Sequence, residues 1–178
     1  MKISVVRHAE TNFNVLGLHN ADPSVDVRLT EQGIKQAESL AKELKDMEFE
    51  TIIISELLRT KQTADIINKF HYSKIEVDAR LNDIDSGFEG QLVSDYHEAR
   101  DASPDPYTAR FNNGESPNDV YDRTKEFLKS LPNRSEKSIL IVTSKHNFRH
   151  IKSIIHNLDP REALKTHIEN AEKFEFES

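Results

Sequence analysis

Short apolar runs alternate along the chain with longer segments in which apolar residues recur every three or four positions. The short runs are rich in β-branched residues, as buried strands are, and the longer segments are typical of amphipathic helices. Strands are predicted at 3–6, 51–54, 75–77 and 139–143, with a fifth at 171–176 at a sheet edge. This alternation predicts an α/β fold, a three-layer α/β/α sandwich with a mostly parallel central sheet.

Four helices are predicted between these strands. Thr30 and Ser116 each precede a periodic segment, as N-cap residues do, and Pro117 and Asp119 suit the first turn of a helix. The residues predicted to face inward are, helix by helix, Ile34, Ala37, Leu40, Ala41, Leu44 and Met47; Leu57, Ala64, Ile67 and Phe70; Val120, Thr124, Phe127, Leu128 and Leu131; and Phe148, Ile151, Ile155 and Leu158.

Two segments lack such a pattern. Residues 15–29 are polar and are predicted to form a loop. Residues 91–113 contain Pro104 and Pro106 and few aliphatic side chains. We expect them to be an excursion over the active edge of the sheet, a mobile segment of the kind that often sets substrate choice. The length favours one domain over residues 1–178.

Composition narrows the classes of function. The formal net charge of −7 argues against non-specific nucleic-acid binding, and any site for an anion must be basic locally. No apolar run approaches the length of a membrane span, and Met1 and Lys2 lead into a strand instead of a signal peptide. The absence of cysteine excludes disulfides and thiolate metal sites and fits a cytoplasmic protein.

The first strand ends in Arg7 and His8, the main candidates for chemistry. In open α/β sheets ligands bind at the carboxyl ends of the strands. Arg7 offers a planar fork of donors to an oxyanion, and a neutral His8 offers a nucleophilic nitrogen. Thr11 and Asn14 are further candidate donors to a phosphate. A strand that merely ends in polar residues is the plainer interpretation of this pair alone.

A second motif favours a functional site over that plainer interpretation. Residues 55–64 contain Ser55, Arg59, Thr63 and Ala64 where the second strand passes into a helix, so the charge of Arg59 adds to the positive helix end. Together with Arg-His-x-x-Thr-x-x-Asn at 7–14, this pattern resembles the histidine phosphatase superfamily, the phosphoglycerate-mutase-like proteins. A box at 29–37 and another at 114–116 are similar to that family as well, as is Arg123.

The resemblance implies a metal-independent phosphatase without a cofactor. His8 would become transiently phosphorylated while Arg7 and Arg59 hold the phosphoryl oxygens, so that the arginines supply the neutralisation that a magnesium ion supplies elsewhere. The substrate would be a small phosphorylated metabolite. Short members of this kind resemble broad-specificity phosphatases, alpha-ribazole phosphatases and protein phosphohistidine phosphatases.

The third box, residues 81–90, supplies the expected proton donor. The family pattern has a glutamate where this chain has Asp83, one methylene shorter, and a tryptophan where it has Phe88. The resemblance implies that Asp83 arrives protonated and donates its proton to the leaving group. Asp85 and Glu89 are nearby alternatives.

The fourth box departs most from the family pattern. Where a second histidine is usual this chain has Ser144, and Lys145 and His146 follow where small residues are usual. Either His146 reaches the phosphoryl group, or Lys145 supplies the charge, or the role of the position is lost. We assign His146 to catalysis and Ser144 to phosphate binding. A metal site at His146 and His150 is a minor alternative, because two ligands without a carboxylate motif are weak support.

These departures leave alternatives to a phosphatase open. Asp83 and Ser144 favour a phospho-ligand-binding or regulatory protein with weakened turnover. The family also contains phosphoglycerate mutases and protein phosphohistidine phosphatases. Arg7, His8 and Arg59 favour an enzyme, since binding alone needs no nucleophile.

Overall fold

The computed structural model describes residues 1–177, and within them one mixed sheet carries the fold. Its strands are β1 (Lys2–Arg7), β2 (Thr51–Ile54), β3 (Lys74–Val77), β4 (Ser138–Thr143) and β5 (Lys173–Glu177). The spatial order is β3-β2-β4-β1-β5. The first four strands are parallel, and β5 pairs antiparallel with β1 at one edge. The predicted sheet and the edge position of its last strand are therefore confirmed.

The helices lie between the strands along the chain. They are α1 (Asn12–Leu16), α2 (Glu31–Leu44), α3 (Leu58–Ile67), α4 (Val93–Asp101), α5 (Pro117–Ser130), α6 (Lys145–Ile155) and α7 (Pro160–Ala163). Two caps follow the sequence: Thr30 Oγ accepts the Gly33 N–H, and Ser116 forms a capping box with Asp119. Among residues 1–177 no helix is long and apolar enough to cross a membrane.

Side-chain alternation along the strands builds two cores on opposite faces of the sheet. One face packs Val5, Ile53 and Ile141 against α5 and α6, and the other packs Ile52, Ile54 and Val142 against α2 and α3 in separate clusters. Because successive strand residues point to opposite faces, each buried strand needs apolar residues at consecutive positions. The predicted three-layer α/β/α class is confirmed by these two cores.

Parallel pairing brings the carboxyl ends of three strands to one edge of the sheet. Arg7 lies opposite Thr143, and Ile54 lies opposite Val142. The loops after β1, β2 and β4 therefore start next to one another, which brings together motifs that lie more than 100 residues apart in sequence.

Three residues predicted to face inward are exposed instead. Ile34 is 41% exposed. The buried face of α2 runs through Gly33 and Ala37, with Gly33 packed against the backbone of Glu10, so Ile34 lies outside that face. Phe70 and Leu158 are about half exposed, because each lies beyond the last residue of its helix. Periodicity carried past a helix end is the source of both errors.

Sequence periodicity also missed α1 and α4. Helix α1 buries none of its side chains, and α4 buries only Tyr96 among its nine residues. Tyr96 packs in a small cluster with Ile84 and Val120, and the Val93 N–H donates to Gly17 O. These helices are held by other parts of the chain and carry no apolar stripe of their own.

Candidate active site

The loops at the carboxyl edge enclose a cavity of about 290 Å³. The structure brings six of the seven predicted site residues to its wall: Arg7, His8, Asn14, Arg59, Asp83 and His146. The seventh, Ser144, is fully buried, with its Oγ 3.5 Å from Arg59 Nη2. Val93 and His97 of α4 also line the cavity, so part of the 91–113 segment lies over this edge.

His8 is held as a neutral imidazole with one nitrogen directed at the cavity. Its Nδ1 lies 2.8 Å from Ala9 O, and since a carbonyl can only accept, Nδ1 carries the proton. Nε2 then bears the lone pair, which accepts from Arg59 Nε at 3.2 Å. Burial lowers the pKa of His8 well below its ordinary value, and the charges of Arg59 and Arg7 lower it further. The nucleophile is therefore unprotonated near neutral pH.

Arg7 and Arg59 flank His8 and are almost fully buried. Arg7 Nη1 donates to Ile168 O at 2.6 Å, and its Nε has no partner among the described residues. Burial lowers the pKa of both guanidiniums, and the charge of Asp83 opposes that shift. Both stay charged near neutral pH, so the pair can bind the oxygens of a phosphoryl group.

Arg59 is oriented by two residues that the sequence did not single out together. Its Nη1 donates to Asn20 Oδ1 at 2.5 Å and its Nη2 to Asn20 O at 3.0 Å. The Asn20 amide donates in turn to Glu89 Oε1, and Glu89 Oε2 accepts the N–H groups of Ala21 and Asp22. Glu89, an alternative proton donor in the sequence, thus fixes the loop that holds Arg59.

The two further candidate donors of the first box serve local structure. Thr11 Oγ accepts the Asn14 N–H and Asn14 Oδ1 accepts the Thr11 N–H, which is a capping box for α1. Asn170 donates to both Asn14 Oδ1 and His8 O, a cross-link that no sequence signal indicated. The phosphate-binding role of Asn14 stays a prediction that depends on its amide nitrogen.

Asp83 and His146 form a hydrogen-bonded pair in the cavity wall. His146 Nδ1 lies 2.9 Å from Asp83 Oδ1, and Arg59 Nη2 lies 3.3 Å from Asp83 Oδ2. His146 Nε2 is buried without a hydrogen-bond partner in the part of the chain that the structure describes. The pair resembles the carboxylate–imidazole arrangement that orients a histidine for proton transfer.

The expectation that Asp83 arrives protonated is contradicted by this environment. Burial raises the pKa of Asp83, but the hydrogen bond and charge of His146 and the charge of Arg59 outweigh burial. The net effect holds the pKa of Asp83 well below its usual range, so its carboxyl is ionised near neutral pH. Asp85 is no substitute, because its side chain accepts the Gly87 N–H in an exposed turn.

The loop that carries Asp83 is fixed from α5 and α6. Arg123 donates to Arg80 O and Asp83 O and forms an ion pair with Glu115 at 2.8 Å. Asn147 donates to Leu81 O and Asn82 O. These contacts give the 114–116 box and Arg123 a physical role, which is to hold the backbone on either side of Asp83.

The cavity wall carries further cations and histidines, of which the sequence offered only Lys145, as an alternative source of charge. Lys145 and Arg149 line the cavity together with His19 and His97. Burial lowers the pKa of His19 to about 4 and that of His97 to about 4, so neither is charged near neutral pH. Such residues have no local signal in sequence, because only folding brings their elements to the same cavity.

The proposed pairing of His146 and His150 as metal ligands is not seen. His150 is fully buried, with its ring edge-to-face against Tyr107 and Tyr121, while His146 bonds to Asp83. Within residues 1–177 no group of three or more histidine, aspartate or glutamate side chains is placed to hold a metal ion.

Comparison with known proteins places the chain among phosphatases and mutases. The profile of the histidine phosphatase superfamily (branch 1) matches residues 3–177. Phosphoserine phosphatase 1 of Hydrogenobacter thermophilus is 33% identical over 150 residues, which cover 81% of this chain and 70% of that protein. Probable fructose-2,6-bisphosphatase TIGAR A of Danio rerio is 33% identical over 139 residues, covering 74% of this chain and 54% of that protein.

Solved structures show the same fold. The alpha-ribazole phosphatase from Shigella flexneri superposes with a TM-score of 0.85 and 22% identity, over 98% of this chain and 89% of that one. The mycobacterial glucosyl-3-phosphoglycerate phosphatase in complex with VO3 superposes with a TM-score of 0.81 and 21% identity, over 98% and 90% of the two chains.

Proposed function

This chain belongs to branch 1 of the histidine phosphatase superfamily, and from that premise we propose that it hydrolyses small phosphomonoesters through a phosphohistidine on His8. The observation that carries the proposal is the state of His8. Its Nε2 lone pair accepts from the buried Arg59 guanidinium, the charge of buried Arg7 acts on the same ring, and Ala9 O fixes the tautomer. A protein that only binds phosphate has no need of a nucleophile that is neutral at that point.

In the first step His8 Nε2 attacks phosphorus as the ester P–O bond breaks. Arg7 and Arg59 bind the non-bridging oxygens, so the reaction depends mainly on positioning and charge stabilisation. The incoming phosphoryl group would displace the bond between Arg59 Nε and His8 Nε2, which frees both groups for the substrate. This neutralisation by arginine supports chemistry without a metal cofactor.

His146 is the proton donor in this mechanism, and Asp83 is its positioning residue. The Asp83 carboxylate accepts from His146 Nδ1 and stabilises the protonated imidazole, while Nε2 carries the proton for the leaving alkoxide. In the second step a water attacks phosphorus, the P–N bond breaks, and the now neutral His146 Nε2 accepts the proton from that water. Inorganic phosphate is released, and neutral His8 is regenerated.

The size of the cavity supports a small substrate. A volume of about 290 Å³ is at the lower end of the range for ligand pockets. The relatives named for phosphoserine and fructose 2,6-bisphosphate support the same class. A small phosphorylated metabolite fits these observations better than a segment of a phosphoprotein. The cytoplasmic location stays a prediction of the composition.

Trapping the phosphoenzyme tests the proposal. After rapid mixing with ³²P-labelled p-nitrophenyl phosphate and an alkaline quench, the wild type should carry a base-stable, acid-labile phosphoryl group. The His8→Ala variant should carry none and should lose turnover, while the control variant His156→Ala, changed at an exposed histidine, should match the wild type. Turnover without an adduct, or an adduct that persists in His8→Ala, would overturn the mechanism. Binding without turnover in the wild type would favour a regulatory protein.

A further inference from the structure

The cavity carries more positive charge than one phosphoryl group needs. Arg7, Arg59, Lys145 and Arg149 all line it, and Asp83 is the only carboxylate among its lining residues within residues 1–177. The cavity is therefore basic although the formal net charge of the whole protein is −7. Arg7 and Arg59 flank His8 and account for the reacting phosphoryl group, which leaves two cations without an assigned task.

Those two cations lie on one side of α6. Lys145 and Arg149 are four residues apart in that helix, so their side chains are neighbours on its surface. Among the described residues no hydrogen bond or ion pair engages the Lys145 ammonium. Arg149 is buried and lines the cavity, and its Nε donates to Thr166 O at 2.6 Å.

The electrostatics of this pair favour a bound anion. Burial lowers the pKa of Lys145 to about 8, and the charges of Arg149 and Arg7 contribute. Burial likewise lowers the pKa of Arg149 to about 10, with Arg7 and Arg100 contributing. Partly buried cations that repel one another cost free energy, and an anion bound between them would remove much of that cost.

Asp83 is the stronger internal counter-charge, but its carboxylate is bonded to His146 and Arg59, and the next one is Glu169. Its charge raises the pKa of both Arg7 and Lys145. Its carboxylate, however, lies 2.7 Å from His167 Nε2, and both side chains are about three-quarters exposed at the rim. Glu169 therefore offsets the charges of Arg7 and Lys145 more weakly than it would if it were buried beside them.

We propose that Lys145 and Arg149 form a second anion subsite, so that the preferred substrates carry a carboxylate or second phosphoryl group beside the phosphoester. As a statement about substrates this rests on the proposed phosphatase activity, but the subsite itself can be measured by binding alone. Lys145 stands where the family pattern has a small residue, so this part of the subsite departs from that pattern.

Calorimetric binding of non-hydrolysable phosphonates is the direct test. Phosphonoacetate carries the second anion, and phosphonoacetamide is its neutral counterpart of nearly the same shape. The wild type should bind phosphonoacetate about tenfold or more tightly than the amide, as expected for one charge-assisted contact. Methylenediphosphonate carries a second phosphoryl group in place of the carboxylate. Its affinity relative to that of phosphonoacetate shows which of the two anions the subsite prefers.

Variants of Lys145 test whether the preference for phosphonoacetate over its amide depends on the proposed subsite. Lys145→Met should weaken phosphonoacetate binding about tenfold and amide binding by a much smaller factor, and Lys145→Arg should restore the preference. Lys152→Met, a change farther along α6 at a residue that does not line the cavity, is the matched control and should keep the wild-type preference. Equal binding of the acid and the amide by the wild type, or equal losses for both in Lys145→Met, would overturn the subsite.

Turnover separates this proposal from the phosphatase proposal. The wild type should hydrolyse 3-phosphoglycerate with a lower KM than glycerol 3-phosphate, and Lys145→Met should narrow that difference. If the wild type prefers phosphonoacetate over its amide but hydrolyses no ester, the phosphatase proposal is rejected and the subsite proposal stands. Turnover of both esters with equal KM values and no phosphonate preference would reject the subsite and keep the phosphatase.

Discussion

At the residue scale, Asp83 and His146 form a hydrogen-bonded pair where the family pattern has one longer acid. The Asp83 carboxylate is turned to His146 and Arg59, so it is ionised and lacks a proton to give. The imidazole extends the pair into the cavity and ends in an unpartnered nitrogen. The Oγ of Ser144, at the position of the family's second histidine, lies 3.5 Å from Arg59 Nη2. In the proposed mechanism the second histidine therefore acts from two residues farther along the chain.

Leaving-group dependence tests this division of roles. His146→Ala should slow hydrolysis of glycerol 3-phosphate about 10²–10⁴-fold but that of p-nitrophenyl phosphate far less, because nitrophenolate hardly needs a proton. Asp83→Asn should show the same selectivity, and Asp83→Glu should recover part of the loss. Steady-state kinetics of the single and double variants measure both effects.

The double variant decides between the two proton donors. If Asp83 acts through His146, the double variant loses little more than His146→Ala alone, since the two changes remove one function. If Asp83 itself donates the proton, His146→Ala will change the rates for glycerol 3-phosphate and p-nitrophenyl phosphate by similar factors. That second pattern would return the acid role to Asp83.

At the element scale, the start of α2 holds the loop that follows β1. Thr30 N donates to Glu10 O, the Thr30 hydroxyl donates to Glu10 Oε1, and Gln36 Oε1 accepts the Glu10 N–H. The Ala9 N–H is bound by Thr63 Oγ of α3. A Cβ on Gly33 would lie 2.0 Å from Glu10 O, so only glycine permits this close approach. Two helices thus fix the backbone immediately after His8.

Gly33→Ala distinguishes this contact from ordinary helix propensity. Propensity alone predicts a gain of about 1 kcal/mol from replacing glycine inside a helix. We expect a loss of about 1–3 kcal/mol instead, as for other overpacked positions, because backbone must move away from the new methyl group. Urea unfolding of Gly33→Ala and of Gln32→Ala, an exposed neighbour on α2, measures the difference.

The same variant should also lower kcat/KM, since displacement of Glu10 moves the loop that orients His8. A stabilised Gly33→Ala with wild-type kinetics would show that α2 and the loop are not tightly coupled.

At the scale of the whole molecule, the fold keeps several imidazoles buried and neutral. His150 is fully buried, and burial, with the charges of His146, Arg123 and Arg149, lowers its pKa to about 3. In the unfolded chain the same residue titrates near its ordinary value of about 6.5. Below that pH the unfolded state binds a proton that the folded state excludes, so folding loses stability as pH falls.

The contribution of His150 to this pH dependence can be measured. Between pH 6.5 and pH 5 it should cost the wild type about 2 kcal/mol of unfolding free energy. His150→Phe, which keeps the aromatic contacts with Tyr107 and Tyr121, should be less pH-dependent by that amount. Urea unfolding at the two pH values gives the comparison.

Two further variants make this measurement specific. His150→Gln should remove the same pH dependence at some cost in packing, and His156→Gln, at an exposed position, should leave the dependence unchanged. Equal pH dependence in the wild type and His150→Phe would mean that His150 is protonated in the folded state.

The sequence by itself determined the elements whose signals are local. The apolar runs specified the strands, Thr30 and Ser116 marked helix starts, and the position of Arg7 and His8 at a strand end indicated the site. These features depend on residues close in sequence, where spacing and side-chain type suffice. Local signals failed where a helix is held by distant residues, as α1 and α4 are.

Only the tertiary structure decided what the site residues do. Asp83 is ionised because His146, 63 positions away, and Arg59 lie against it, and Arg59 is oriented by Asn20, 39 positions away. His19 and His97 line the cavity for the same reason. Protonation and orientation depend on burial and on neighbouring charges, and these are properties of the folded arrangement that spacing along the chain does not encode.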